Sequence, residues 1–227
     1  GGRFTAVTPS RVLDTRDGTG ARKGPIGPNG TIDFGVLNVG GVPASGVTAV
    51  ALNVTLDQPT GNGYLSVWPG GEGWPGTSTH NFTPGRTVAN LVIVKVGANG
   101  RVNVLNSAGS SNVIADVVGY YSGTGKAFVP ISPQRIADSR TGPQLSGPLV
   151  AGGTVAVSLA GYGPVPGNAA SVVLNVTSTD AAVQTFITVW PNGVGRPNAS
   201  TVNPLPGGAV PNHAYLKVGT DGKLAVY

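Results

Sequence analysis

The strongest constraint on this chain is that it repeats itself. The polar frame Pro9-Ser10-Arg11-Val12-Leu13-Asp14-Thr15-Arg16 returns 124 residues later as Pro133-Gln134-Arg135-Ile136-Ala137-Asp138-Ser139-Arg140. Beyond each frame the spacing settles at 122: Asn53-Val54-Thr55 becomes Asn175-Val176-Thr177, Trp68-Pro69 becomes Trp190-Pro191, and Asn90 becomes Asn212. A deletion in one loop accounts for the change. Whatever fold forms must form twice, each time within a length ordinary for one domain.

Helices have no room to form. Gly or Pro interrupts almost every window long enough for three turns, and inside a helix these cost about 1 and about 3 kcal/mol against Ala. Apolar residues alternate instead. Over 47–56, Val50, Leu52, Val54 and Leu56 share one face while Asn53 and Thr55 take the other. The counterpart at 169–178 presents Val172, Leu174 and Val176 in the same way. The same alternation predicts strands at 31–37, 64–69, 89–97, 102–106 and 112–120, and in the second copy at 186–191 and 211–219. Asn99-Gly100 and Asp221-Gly222 predict two-residue hairpins of type I′. The second copy reaches Leu224-Ala225-Val226-Tyr227, aligned with 102–105, and has no counterpart of 107–121. The expectation is an all-β chain of two tandem antiparallel β-sandwich (jelly-roll-like) modules. Module 1 spans 1–122, a linker 123–126, and module 2 spans 127–227, lacking its last strand.

Composition narrows the functional classes. Thirty-seven Gly, 19 Pro and 10% charged residues would suit a disordered chain, but 40% hydrophobic residues rich in Val argue for packed strands. The absence of cysteine removes disulfides and thiolate metal sites. A net charge of +5 is dispersed along the chain and not interleaved with aromatics, so nucleic acid is not an expected partner. No apolar run approaches the roughly 20 residues needed to span a bilayer. Without a basic-then-apolar leader, without Cys or Met, and rich in Gly, Thr, Asn and Pro, the chain reads as an exported mature protein.

The two frames hold the densest charge in the chain. Arg11, Asp14 and Arg16, with Arg135, Asp138 and Arg140 in the second copy, suit a structural ion-pair network better than a catalytic set. Asp116, between Ile114 and Val118, is the expected partner of Arg11 or Arg16. Its counterpart is missing from module 2, which predicts an Arg without its acid there. Asn53, Asn81 and Asn90, repeated as Asn175, Asn203 and Asn212, read as side chains that satisfy backbone where strands bend or end. Trp74, in the Gly-rich loop after a strand, is the aromatic best placed to stack on a sugar ring, with Glu72 and His80 as candidate neighbours. Trp68 and Trp190, at matched strand ends, read as core. Two histidines at unmatched positions, one glutamate and no nucleophile elbow argue against an enzyme. The run 14–20 loosely resembles a calcium loop, but Arg16 interrupts it and Thr141 replaces Asp17 in the second copy, so neither metal nor cofactor is expected.

The frame P-x-R-x-x-D-x-R, the L-N-V-T strand, the strand ending W-P, the A-N-x-x-x-V strand and the closing D-V-x-G-Y (116–120) together resemble an all-β module. That module is repeated in secreted and surface proteins of actinobacteria and some other bacteria, often beside catalytic domains such as cell-wall hydrolases. The resemblance implies a secreted or cell-surface accessory module and supplies no active-site residues. The leading expectation is a non-catalytic binding module for cell-wall or other extracellular polysaccharide, with contact through Trp74, Glu72 and His80. The alternative is a structural or protein-interaction module in which a partner strand or second chain completes module 2.

Overall fold

The computed structural model describes residues 2–227, and they form an all-β, helix-free fold. Module 1 contains β1 (Arg3–Asp14), β2 (Gly30–Gly35), β3 (Val47–Asp57), β4 (Gly63–Pro69), β5 (His80–Phe82), β6 (Val88–Lys95), β7 (Arg101–Asn106) and β8 (Asn112–Ser122). They form two four-stranded sheets, β1-β8-β3-β6 and β2-β7-β4-β5, with antiparallel pairing throughout. Eight strands in that order form a jelly roll. The alternation anticipated at 47–56 sets the layers: Val50, Leu52, Val54 and Leu56 are fully buried against Phe34, Leu65, Val102 and Val104.

The Asn-Gly and Asp-Gly turns are not hairpins. β6 and β7 belong to different sheets, so the turn carries the chain across the sandwich. Hydrogen bonds from Gly97 N to Arg101 O and from Gly100 N to Gly97 O close it, and Gly219, Gly222 and Lys223 repeat the arrangement. Gly100 alone of the central pair has positive φ, whereas a type I′ turn needs two such residues. A Cβ on Gly97 would lie 2.0 Å from the carbonyl oxygen of Gly70, so this crossing admits only glycine.

Module 2 keeps part of the plan. It contains β9 (Val155–Ser158), β10 (Ser171–Thr179), β11 (Val189–Pro191), β12 (Ala209–Lys217) and β13 (Lys223–Val226). One sheet is β11-β13-β9 and the other is only β10-β12. By sequence offset β10 and β12 are the counterparts of β3 and β6. Among the described residues no strand of this sheet matches β8 or β1, although the second frame is present in the chain. In module 1, β8 is the one strand that pairs with β1, and among the described residues the segment 127–137 joins no ladder. It runs as irregular chain with Phe128 69%, Val129 70% and Ile131 47% exposed.

The modules touch through unlike surfaces. β12 lies against β6, β8 and β1 of module 1. Phe4, Ala51 and Val118, on the outer face of the module 1 sheet, form an apolar cluster with Leu91, Tyr121 and Tyr215. The Phe4 ring sits 5.0 Å from Tyr215 and 5.1 Å from Tyr121. It lies across Gly119, where a Cβ would be 2.2 Å from Phe4 Cζ. Asn212 donates to Asn53 Oδ1 at 2.7 Å and accepts from Leu91 N at 3.1 Å, and Asn53 donates to the Ser200 carbonyl.

Candidate functional site

The Arg–Asp frame builds the first cluster. A register shift between Arg11 and Leu13 in the β1–β8 ladder leaves Arg11 opposite Asp116. Arg11 Nε donates to Asp116 Oδ1 at 3.0 Å and Nη2 to Oδ2 at 3.4 Å, while Nη1 reaches Asp14 Oδ2 at 2.9 Å. Arg16 grips Asp14 through Nε at 2.9 Å and Nη2 at 2.8 Å, and reaches Asp57 through Nη1 at 3.3 Å. Burial opposes ionisation of Asp14, but the Arg16 hydrogen bonds and both guanidiniums hold its carboxyl below the usual range. Asp116 is nearly inaccessible, and burial raises its carboxyl even against the Arg11 fork. Asp116 also lines a narrow gap between the modules, beside Asn53 and Pro9, where it accepts a hydrogen bond from the Ser200 backbone. The cluster fastens the first strand to the last and offers no nucleophile or free acid.

In module 2 the local part of this cluster survives and the long-range part does not. Arg140 holds Asp138 through Nε at 3.0 Å and Nη2 at 2.8 Å, as Arg16 holds Asp14, and these bonds keep the Asp138 carboxyl well below its ordinary value. Arg135 donates Nη1 to Asp138, the same atom by which Arg11 reaches Asp14. Among the described residues Nε and Nη2 of Arg135 find no acceptor, whereas those atoms of Arg11 hold Asp116. The Arg135 side chain is 64% exposed against 15% for Arg11.

The β10-β12 sheet of module 2 has a free strand edge. β3 is hydrogen-bonded on both edges, to β8 and β6, whereas β10 is paired only with β12. The core-facing residues of β3 are fully buried, and their counterparts Val172, Leu174 and Val176 are only half-buried. The free edge of β10 therefore presents one row of backbone donors and acceptors beside an apolar floor.

The residues expected to meet a glycan divide. Trp74 is 48% exposed, its indole N–H donates to Ser66 Oγ at 3.1 Å, and its ring lies within 12° of parallel to Tyr64 at 6.3 Å. Glu72 shares its loop but is engaged by Lys95 Nζ at 2.9 Å, and its carbonyl accepts from Trp68 Nε1 at 2.9 Å. His80 does not join them. β5 turns it into the core, where burial pushes its imidazole down to about 4 and neither ring nitrogen has a partner. Its counterpart in module 2 is the fully buried Val202. The Trp74 position is filled in module 2 by Arg196, which lies 3.7 Å from the Tyr227 ring and 5.8 Å from that of Phe186, the counterpart of Tyr64. Both side chains thus pin equivalent loops to aromatic rings, of which Tyr64 and Phe186 are equivalent and Tyr227 replaces Leu105, and this accounts for the geometry of Trp74 without a ligand. The Asn residues satisfy backbone as expected where Asn90 donates to Thr79 O and Asn212 to Thr201 O.

Sequence reasoning missed an open, polar cleft of about 420 Å³ between the modules, walled by Asp57, Gln58, Thr87, Gln184, Phe186 and Asn203. These residues come from loops that share no periodicity. The described residues hold no group of three or more His, Cys, Asp or Glu with metal-ligand geometry. No helix is long and apolar enough to cross a membrane. Comparison with models of known protein families and with curated proteins finds no match.

Proposed function

We propose that the chain is a non-catalytic, exported assembly module in which the free edge of β10 takes an extended strand. The observation that carries this reading is the difference between β3 and β10. Equivalent apolar residues are sealed where a β8 is present and half-open where it is not. An added strand would bury Val172, Leu174 and Val176, give the free edge of β10 its hydrogen bonds, and offer 127–137 the neighbour that β1 has in module 1. Main-chain bonds supply affinity in such complexes and alternate side-chain pockets supply selectivity. A labelled peptide with the β8 sequence, Asn112–Ser122, tests it by fluorescence anisotropy. Saturable one-to-one binding to the 227-residue chain is expected, and a peptide of the same composition in scrambled order should not bind. Absence of binding would sink the reading.

One observation favours a second reading, polysaccharide binding through Trp74: an aromatic face held rigid and half open to solvent. Retention of the chain on insoluble cell wall, abolished by Trp74→Ala, would support it. Equal retention of both proteins would remove Trp74 from the account.

A further inference from the structure

The cleft between the modules is walled by loops that are already fastened. On the module 1 side, Asp57 closes β3 and Gln58 follows it, and Ser111 Oγ donates to the Asp57 carbonyl at 3.1 Å. Gly85 N donates to Pro59 O at 2.7 Å, which ties this loop to the approach to β6. On the module 2 side, Thr185 N donates to Pro204 O at 3.1 Å and Ile187 N to Val202 O at 2.8 Å, so the segments bearing Gln184 and Asn203 are held together. The Asn53–Asn212 bond and the Phe4–Tyr215 contact fix one module on the other. The cleft of about 420 Å³ lies within the roughly 300–1,000 Å³ of small-ligand sites, and fastened walls need little ordering when a ligand enters.

The lining narrows the ligand. Among the described residues of the cleft Asp57 alone is charged, and its Oδ2 accepts from Arg16 Nη1 at 3.3 Å and its Oδ1 from Thr87 Oγ1 at 2.8 Å. With that charge already answered, the cleft has nothing to hold a phosphate or a cation. It presents amides instead: Gln58 and Gln184 are exposed, and Asn203 directs one N–H at Ser200 Oγ, 3.2 Å away. Each amide both donates and accepts, and the Asp57 carboxylate keeps lone pairs beyond the two bonds it takes. Among them Phe186 is 42% exposed, its ring held by Tyr227 at 5.7 Å and by the Arg196 guanidinium at 5.8 Å. A fixed apolar ring beside two-way hydrogen-bonding groups matches a ligand with the same division, a C–H face and a rim of hydroxyls. A proline-rich peptide fits less well, because its grooves are lined by several aromatics and Phe186 is alone here.

We infer that the cleft between the modules binds a neutral saccharide, a mono- or disaccharide unit. Phe186 lies against the C–H face of one ring, and the Gln58, Gln184 and Asn203 amides take its hydroxyls. The site is separate from the Trp74 loop and does not depend on strand acceptance at β10. Its walls come from both modules, so the tandem arrangement is what assembles it.

Saturation-transfer difference NMR on the 227-residue chain screens cellobiose, maltose, xylobiose, mannobiose, lactose and diacetylchitobiose, and isothermal titration measures those that respond. At least one should bind, with an affinity that raised salt leaves unchanged, because no uncompensated charge meets the ligand. Phe186→Ala should weaken that binding about tenfold. Gln184→Ala should weaken it about twofold to tenfold, the range for one hydrogen bond. Both side chains are exposed, so neither substitution touches the core. Neither residue lies on β10, so strand acceptance succeeds or fails independently. Failure of every sugar to bind overturns the inference, and affinity that falls with salt overturns the neutral class of ligand. Binding that survives both substitutions overturns the assignment to the cleft; if Trp74→Ala then abolishes it, the sugar belongs to the Trp74 loop. A decaproline peptide that binds where no sugar does, and is lost in Phe186→Ala, would make the cleft a polypeptide groove and overturn the inference.

Discussion

His80 and Val202 occupy one position in two modules, and the difference between them has a measurable consequence. His80 is buried with both ring nitrogens unpartnered, and its imidazole titrates near 4 instead of 6.5. The unfolded chain therefore binds a proton more readily than the folded one between these values. Stability contributed by the neutral ring is complete above about pH 6.5 and falls as the pH drops towards 4, by roughly 3 kcal/mol at the lower end. Urea midpoints measured from pH 7 to pH 4 should decline for the wild type, and His80→Val should flatten the part of the decline that lies between pH 6.5 and 4. An identical slope in the two proteins would place the acid sensitivity elsewhere. At this scale the sequence was informative where charge was scarce. Asp116 stood out as the partner of Arg11 or Arg16 because so few acids exist, and Arg11 takes it; the same logic left Arg135 or Arg140 without an acid, whereas both hold Asp138. It failed for His80, because burial is a property of the fold and no periodic pattern runs through the short β5.

A strand exists only where it has a neighbour, and this governs the differences between the modules. Alternation located β2, β3, β4, β6, β7, β8, β10, β11 and β12 because it reports which face of a segment turns inward, and alignment with the first copy located β13. It carries no information on which edge is occupied, so the frame, with four of its eight residues identical in the two copies, did not show that 127–137 runs unpaired. The Asn-Gly turn misled for a related reason: the dipeptide specifies a tight reversal, and whether the chain re-enters its own sheet or crosses to the facing one depends on packing. The consequence for β10 can be measured by truncation. Leu52→Ala removes a fully buried side chain and should cost about 2–5 kcal/mol. Leu174→Ala, at the equivalent but half-open position, should cost roughly half as much or less. Chemical denaturation of the two variants checks the difference, and equal losses would mean that β10 is as well covered as β3.

At the scale of the whole molecule, the two modules meet by unlike surfaces, the β12 edge of one against the outer sheet face of the other. The hydrogen bond between Asn212 and Asn53 spans 159 residues of sequence, a separation at which neither periodicity nor turn chemistry gives a signal. This contact occupies β12 and leaves β10 on the free side of its sheet, so the vacant edge is not covered by module 1. The account rests on that vacancy, and amide hydrogen exchange along β10 tests it most directly. In the isolated chain the amides of β10 that do not face β12 should exchange quickly, while those facing β12, and the amides of β3 on both edges, remain protected. Addition of the Asn112–Ser122 peptide should slow the fast set and leave β3 unchanged. Protection of both β10 edges in the chain alone, or exchange indifferent to the peptide, would contradict the account.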